Sequence, residues 1–286
     1  MGEIMEKSYQ LGLYEKAMPG TLTWYEKLTA AKEAGFDYVE MSIDETDEKL
    51  ARLHMSTAEM EEIRIAMRET GMMFGSICLS GHRKYPLGDP DPAKQTRSME
   101  IMEDAVGLAA ALGIRTIQLA GYDVYYDEGS VETRAAFARN LVKSVLLAAC
   151  GGVQLGFETM ETPFMDTVEK AMHYVDLVRS PYLGVYPDSG NLTNASLIYG
   201  KGVLDDMEMG RGYMVALHLK ETVPGKYREI PFGMGHVDFA AIAKKAWELG
   251  VRRYVGEFWY TGNADWKGDL VFANAFLRRV LDAAAE

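Results

Sequence analysis

Four short apolar runs in the second half of the chain each end on a side chain able to hold a metal ion. They are Leu155-Gly156-Phe157-Glu158, Gly184-Val185-Tyr186-Pro187-Asp188, Val215-Ala216-Leu217-His218 and Tyr254-Val255-Gly256-Glu257. Glu158, Asp188 and His218 recur about every thirty residues, and Glu257 follows after a longer gap; a (β/α)8 barrel of about 250 residues allots a similar length to each strand–helix unit. Ligands at successive strand C-termini would converge on one point at the catalytic face. Three carboxylates and one imidazole form an oxygen/nitrogen site for one divalent ion such as Zn²⁺ or Mn²⁺.

Each residue also has a plainer reading. Glu158 alone is a carboxylate at a strand edge, and Asp188 sits in a Pro-Asp-Ser-Gly turn string. His218 is flanked by apolar residues like a core histidine, and Glu257 fits a buried ion pair. Four accidents at four successive strand ends are a poorer account than one site. A metal held this way, with open positions, suits a hydroxy-carbonyl chelate: it polarises the carbonyl and stabilises the enediolate left by C–H deprotonation. A base must then reach that carbon. Glu158 and Glu257, from the fifth and eighth candidate strands, are placed to flank the substrate from opposite sides. One removes a proton and the other returns one to the opposite face, which inverts the stereocentre.

The elements that must position these groups alternate along the whole chain. Candidate strands are Gln10–Tyr14, Tyr38–Ser42, Met73–Leu79, Thr116–Ala120, Gln154–Met160, Leu183–Tyr186, Met214–Leu219 and Arg253–Phe258. They are brief and apolar, as parallel strands covered on both faces should be. Amphipathic stretches lie between them. One is headed by a capping box at Ser56–Glu59 and stops at Gly71; others run from near Ala93 to Gly113 and from Asp238 to Gly250. Gly35, Gly113 and Gly250 each stand between a helical pattern and a strand, where a left-handed glycine closes the helix. Eight units without a linker predict a single barrel domain over residues 1–286. An open doubly wound sheet is the weaker reading, because no Gly-rich phosphate loop follows the first strand.

Composition narrows the function classes. At 286 residues and 48% hydrophobic the chain can bury a large core. A net charge of −12 argues against a nucleic-acid partner, which needs a basic stripe. Cys78 and Cys150 form no paired motif and read as small buried hydrophobes in a reducing cytoplasm. Residues 1–7 carry no apolar leader, and no apolar stretch is long enough to span a membrane, so a soluble cytoplasmic protein is expected.

Several strings around these residues resemble the L-ribulose-5-phosphate 3-epimerase family, closest to the L-xylulose-5-phosphate 3-epimerases of the ascorbate utilisation route. They include Leu11-Gly12-Leu13-Tyr14-Glu15-Lys16-Ala17, residues 38–47, Cys78-Leu79-Ser80-Gly81-His82-Arg83, residues 117–126, Tyr186-Pro187-Asp188-Ser189-Gly190-Asn191-Leu192 and His218-Leu219-Lys220-Glu221-Thr222-Val223-Pro224-Gly225. The resemblance runs nearly end to end. It implies a xylose-isomerase-like TIM barrel, a divalent metal on Glu158, Asp188, His218 and Glu257, and Glu158 and Glu257 as the paired acid/base groups. It also implies C3 epimerisation between L-xylulose 5-phosphate and L-ribulose 5-phosphate, and a homodimer. One departure is the string Phe232-Gly233-Met234-Gly235-His236, where the family resembles Gly-Glu-Gly.

A phosphorylated ketose needs cationic donors, and the loops after strands seven and eight are their habitual place in barrels. Lys220, Lys226 and Arg228 are candidates there, with Arg83 after the third strand. His82, beside it, is expected at the rim, and Tyr14, Glu40 and Glu221 complete the substrate-binding candidates from the resembling strings. Alternatives are a metal-dependent epimerase or aldose–ketose isomerase acting on a non-phosphorylated ketose, a metal-dependent endonuclease, and a non-catalytic sugar-binding barrel. The net charge and five histidines weigh against the endonuclease.

Overall fold

The computed structural model describes residues 8–286, and the N-terminal segment inspected for a leader lies outside the described residues. The eight strands are β1 (Gln10–Tyr14), β2 (Tyr38–Ile43), β3 (Met73–Leu79), β4 (Thr116–Ala120), β5 (Gln154–Glu158), β6 (Leu183–Val185), β7 (Leu217–Leu219) and β8 (Arg253–Gly256). They form one all-parallel sheet in the order β6-β5-β4-β3-β2-β1-β8-β7. The helices between and after them are α1 (Trp24–Glu33), α2 (Asp47–Ala51), α3 (Thr57–Thr70), α4 (Pro92–Leu112), α5 (Val131–Gly151), α6 (Val168–Val178), α7 (Ser189–Tyr199), α8 (Val203–Glu208), α9 (Phe239–Glu248) and α10 (Trp266–Ala285). This is the (β/α)8 barrel expected from the alternation.

Strands β6 and β7 close the ring through a few contacts rather than a full ladder. Val185 N–H donates to the Tyr213 carbonyl and Val215 N–H to the Val185 carbonyl, each at 2.8 Å. Further on, His218 N–H donates to the Pro187 carbonyl at 2.9 Å, and Asp188 bridges to His218. Pro187 has no N–H to give, so a regular ladder cannot continue through it. For this reason β6 and β7 are shorter than the apolar runs imply. The strands β5 and β8 also stop early, at Glu158 and Gly256, where the chain leaves the sheet with the site residues.

Side-chain parity separates two cores. Residues such as Leu11, Leu13, Val39, Met41, Ile117, Leu119, Leu155, Phe157, Leu217 and Leu219 point outward and pack under the helices. Residues of the other parity, Tyr14, Tyr38, Cys78, Tyr186, Ala216 and Val255, form a separate interior cluster. Tyr38 fills the lower interior because its neighbours are Gly12 and Gly75, where an added Cβ would collide with its ring. A register shift between Val39 and Glu40 sets Ser76 opposite Glu40 and leaves Gly75 as the extra residue.

The helix signals were sound. Ser56 caps α3 with both halves of the capping box, and Gly71 ends it in the left-handed conformation. Gly35, Gly113 and Gly250 adopt φ of 91°, 75° and 86°. Of the cysteines, Cys78 is buried but Cys150 is exposed, which corrects its reading as a core residue: it stands in the last turn of α5, outside the packed stripe. Among the described residues no helix is long and apolar enough to cross a membrane.

The barrel seam yields the first prediction. A Cβ on Gly184 would press into the Tyr213 backbone carbonyl, which cannot move without breaking the β6–β7 bonds. Gly184→Ala is expected to cost about 1–3 kcal/mol, the usual price of overpacking. Thermal unfolding should show it as a loss of several degrees, whereas Gly20→Ala, with nothing within 4 Å, should unfold like the parent chain.

Candidate metal centre

The interior parity of the strands carries the ionisable groups to one end of the barrel. Glu158 ends β5, while Asp188, His218 and Glu257 lie beyond β6, within β7 and beyond β8. All four are buried, and one ligand atom from each lies within 4.8 Å of the others. Nδ1 of His218 stands 3.1 Å from Glu257 Oε2 and 3.3 Å from Glu158 Oε1. Asp188 Oδ1 accepts from the Asn191 backbone N–H at 2.7 Å, where Asp188 caps α7. Its Oδ2 is buried without a partner. An orphaned carboxylate oxygen beside three other oxygen and nitrogen donors is what a divalent ion would complete.

The ring of His218 is held from behind. Its Nε2 lies 2.7 Å from Glu40 Oε1, and Glu40 Oε2 accepts from the hydroxyls of Ser76 at 2.6 Å and Tyr186 at 3.0 Å. With a metal bound, an Nε2–H donated to Glu40 would leave Nδ1 free to ligate, the tautomer a metal ligand needs. Glu40, expected against substrate, is therefore corrected: it is wholly buried behind His218.

Electrostatics in this cluster oppose one another. Burial pushes the Glu158 and Asp188 carboxyls up, and the charge on Glu257 adds to both. Burial also acts on Glu257, but Lys220 and His218 overcome it and hold that carboxyl well below its ordinary range. Burial pulls His218 down, yet Glu40 and Glu257 raise it well above an ordinary histidine. Lys220 Nζ lies 3.1 Å from Asp188 Oδ1 and 3.6 Å from Glu257 Oε2. That placement revises the expectation of a phosphate donor, because the ammonium is buried among the carboxylates that could hold a metal.

The remaining candidates divide. Tyr14, Arg83, Lys220 and Arg228 line the cleft that contains Glu158 and Glu257, together with Lys16, Glu161, Asn191, Tyr227 and Trp259. Three others are corrected. His82 sits in a short turn after β3, buried against α4 with Nε2 3.0 Å from the Ser98 carbonyl, and burial holds it neutral, down to about 4. Glu221 is spent on the chain itself, accepting from the backbone N–H groups of Gly233 at 2.9 Å and Val237 at 3.2 Å. Lys226 is exposed and lines no part of the cleft. In the loop that Glu221 pins, Met234 is 73% exposed and His236 pairs with the Thr222 hydroxyl at 3.0 Å.

One contact had no sequence signal except parity. Gln118, inward-facing on β4, donates its side-chain amide to Glu158 Oε2.

The family model described as xylose isomerase-like TIM barrel matches residues 28–278. An L-ribulose-5-phosphate 3-epimerase, UlaE, of Shigella sonnei is 40% identical over 276 residues, covering 96% of each chain. The enzyme of that name in Salmonella heidelberg is 44% identical over 236 residues, 82% of each. Among solved structures, an L-ribulose 3-epimerase superposes with a TM-score of 0.75 at 19% identity, covering 97% of this chain and 96% of that one. A D-psicose 3-epimerase gives 0.76 at 18%, covering 95% and 99%. These two likenesses speak for the fold alone.

Glu40→Gln keeps the shape of the side chain and removes the charge behind His218. Loss of such an outer partner usually costs about 10- to 100-fold in metal affinity. Chelator-competition titration with Zn²⁺ or Mn²⁺ should show that loss, and an unchanged affinity would count against His218 as a ligand.

Proposed function

The chain belongs to the L-ribulose-5-phosphate 3-epimerase family of xylose isomerase-like TIM barrels, and on that premise we propose that it interconverts L-xylulose 5-phosphate and L-ribulose 5-phosphate by inverting C3. The observation that carries this reading is the pair Glu158 and Glu257. They stand at the end of β5 and just beyond β8, line one cleft, and converge on the same imidazole nitrogen. An inversion needs two proton-transfer groups, one for each face of the carbon.

Their surroundings differ. Glu158 accepts from a neutral amide, Gln118, and burial raises its hold on a proton. Glu257 lies beside the Lys220 ammonium, which favours its carboxylate. Environments that drive two carboxyl groups apart in this way favour distinct acid and base roles. Glu158, Asp188, His218 and Glu257 would hold the divalent ion, which we read as Zn²⁺ or Mn²⁺. When bound, the ion would act as a Lewis acid on the ketose carbonyl and stabilise negative charge on its oxygen. Asp188 and His218 serve only to hold it. Burial of the cluster excludes bulk water from the proton transfers.

The names of the curated relatives support a phosphorylated ketopentose as substrate. A homodimer in a cytoplasmic pentose route completes the proposal. Proton NMR in D₂O with L-xylulose 5-phosphate tests reaction and position together. Deuterium should enter at C3, and a chelator should stop it. Glu158→Gln and Glu257→Gln should each lower the rate of C3 inversion by at least about 100-fold, the scale of a lost acid/base group, while the variant that keeps the base facing the C3 proton of L-xylulose 5-phosphate can still exchange it. Wild-type inversion in either variant, measured with its metal content, would refute the two-base scheme.

A further inference from the structure

Glu15 lies outside the metal centre, yet three neighbouring elements converge on its buried carboxylate. Its Oε1 lies 2.7 Å from Lys49 Nζ and 3.4 Å from Lys27 Nζ. Its Oε2 accepts from Arg52 Nη1 at 2.6 Å and from the Ser42 backbone N–H at 2.8 Å. Lys27 is on α1, Ser42 on β2 and Lys49 in α2, while Arg52 directly follows α2. Glu15 itself is the first residue beyond β1, between Tyr14 and Lys16, which both line the cleft that contains Glu158 and Glu257. We propose that Glu15 is a positioning residue: its ion cluster fixes the β1 wall of the cleft and so sets where Tyr14 meets the substrate. The proposal rests on the epimerase reading above.

Stability alone does not account for such a cluster. Glu15 and Lys27 are almost excluded from water, at 1% and 2% exposure. The desolvation of a buried pair can exceed its Coulombic gain, and apolar side chains of similar volume often hold as firmly. Burial by itself would push the Glu15 carboxyl up, but Arg52, Lys27 and Lys49 overcome it and hold the group down at about 2. Glu15 is thus ionised at neutral pH, and its charge-assisted bonds fix direction as well as distance. The cations are themselves held, since the Trp24 ring centre lies 5.0 Å from Lys27 Nζ and 4.7 Å from the Arg52 guanidinium.

Both neighbours of Glu15 carry this anchorage to the cleft. Ser42, whose N–H binds Glu15, also accepts the Tyr14 hydroxyl on its Oγ at 3.3 Å. The Tyr14 ring meets Trp259 edge-on, with centres 6.1 Å apart, and its hydroxyl lies 3.9 Å from Cys78 Sγ. On the other side, the Lys16 carbonyl accepts from the Tyr260 N–H at 2.8 Å, which joins this wall to the segment after β8. Loosening Glu15 would free the Tyr14 ring from its seat over the buried Cys78 thiol.

Cys78 and Cys150 are the only cysteines of the chain, one buried and one exposed, so Cys78 reports on this wall without any substrate. In a Cys150→Ser background, labelling with an aryl disulfide reagent reads Cys78 alone. Glu15→Gln by itself would strand three cations and risk unfolding. Glu15→Gln combined with Lys27→Met removes one charge of each sign, and Arg52→Met removes a single tie at the partly exposed edge of the cluster. Both should label Cys78 about tenfold faster and raise KM for L-xylulose 5-phosphate by about the same factor, the worth of one hydrogen bond. Neither kcat nor Zn²⁺ affinity, measured by chelator competition, should change, because the partners of Glu15 are not the metal ligands. Parental protection of Cys78 in both variants overturns the anchor. Faster labelling with a parental KM overturns its part in substrate binding, and an equal fall in Zn²⁺ affinity would show general loosening and overturn both. If the parent fails to invert L-xylulose 5-phosphate, the substrate reading fails, while Cys78 labelling still decides the anchor.

Discussion

The structure turns on one constraint, the need to neutralise a group of charges that has been taken out of water. Glu40, Glu158, Asp188, Glu257, His218 and Lys220 are all buried at one end of the barrel. Taking a charge out of water costs several kcal/mol even after relaxation, unless it is paired and hydrogen-bonded. His218 is the node of the arrangement, because one imidazole touches three of the four carboxyl groups. Lys220 serves Asp188 and Glu257 from the other side. Carboxyl groups still outnumber basic groups there, so the protein alone leaves negative charge in excess. Burial first, and the neighbouring Glu257 charge second, raise the proton affinity of Glu158 and Asp188. A divalent cation held by the cluster would relieve the same imbalance and would tie metal binding to the stability of the barrel mouth.

The barrel interior shows why these charges sit at that end and nowhere else. Each strand gives its inward parity to the same layers, as side chains from alternate strands do in barrels of this kind. Toward the strand N-termini the layer holds Tyr38 against Gly12 and Gly75. A large ring between two glycines fills space without a void, and the Tyr38 hydroxyl is spent on the Tyr254 carbonyl. Above it the Tyr186 ring packs edge-on against His218, with ring centres 4.8 Å apart. Its hydroxyl steadies Glu40 from the same layer. An aromatic floor carrying polar tips thus supports a charged ceiling. The bulge at Val39–Glu40 aligns the two, since it brings Ser76 opposite Glu40.

How far the sequence disclosed this depends on which physical signal each residue carried. Strands β1, β3 and β4 were legible to the residue because turn or helix signals bound their apolar runs on both sides. The runs at β6 and β7 overstated the ladder, since Pro187 interrupts pairing while leaving the apolar pattern intact. The four-residue cluster was legible because each member ends a strand-like run at barrel spacing. Glu40 also sits on an inward position, but mid-strand, and nothing in a single sequence says that its partner is an imidazole on β7. Glu221 and His82 misled for a common reason: polar residues near the rim can serve the loops themselves. One ties down residues 233–237 and the other docks on α4. Gln118 went unread because an amide inside an apolar run looks like an interruption rather than a contact.

Charge pairing also shapes the cleft above the metal centre. The four cations lining it, Lys16, Arg83, Lys220 and Arg228, each face a carboxylate of the same chain. Lys16 lies 2.5 Å from Asp44, for example. With a net charge of −12 over the chain, little positive potential reaches past the mouth to steer an anion from a distance. Pairs buried as deeply as Lys220 with Asp188 are costly to open, whereas the partly exposed contacts of Arg83 and Arg228 with Glu161 cost little to break. Depth thus divides one set of ion pairs into two kinds: those that hold the centre together and those that compete with water at the cleft mouth.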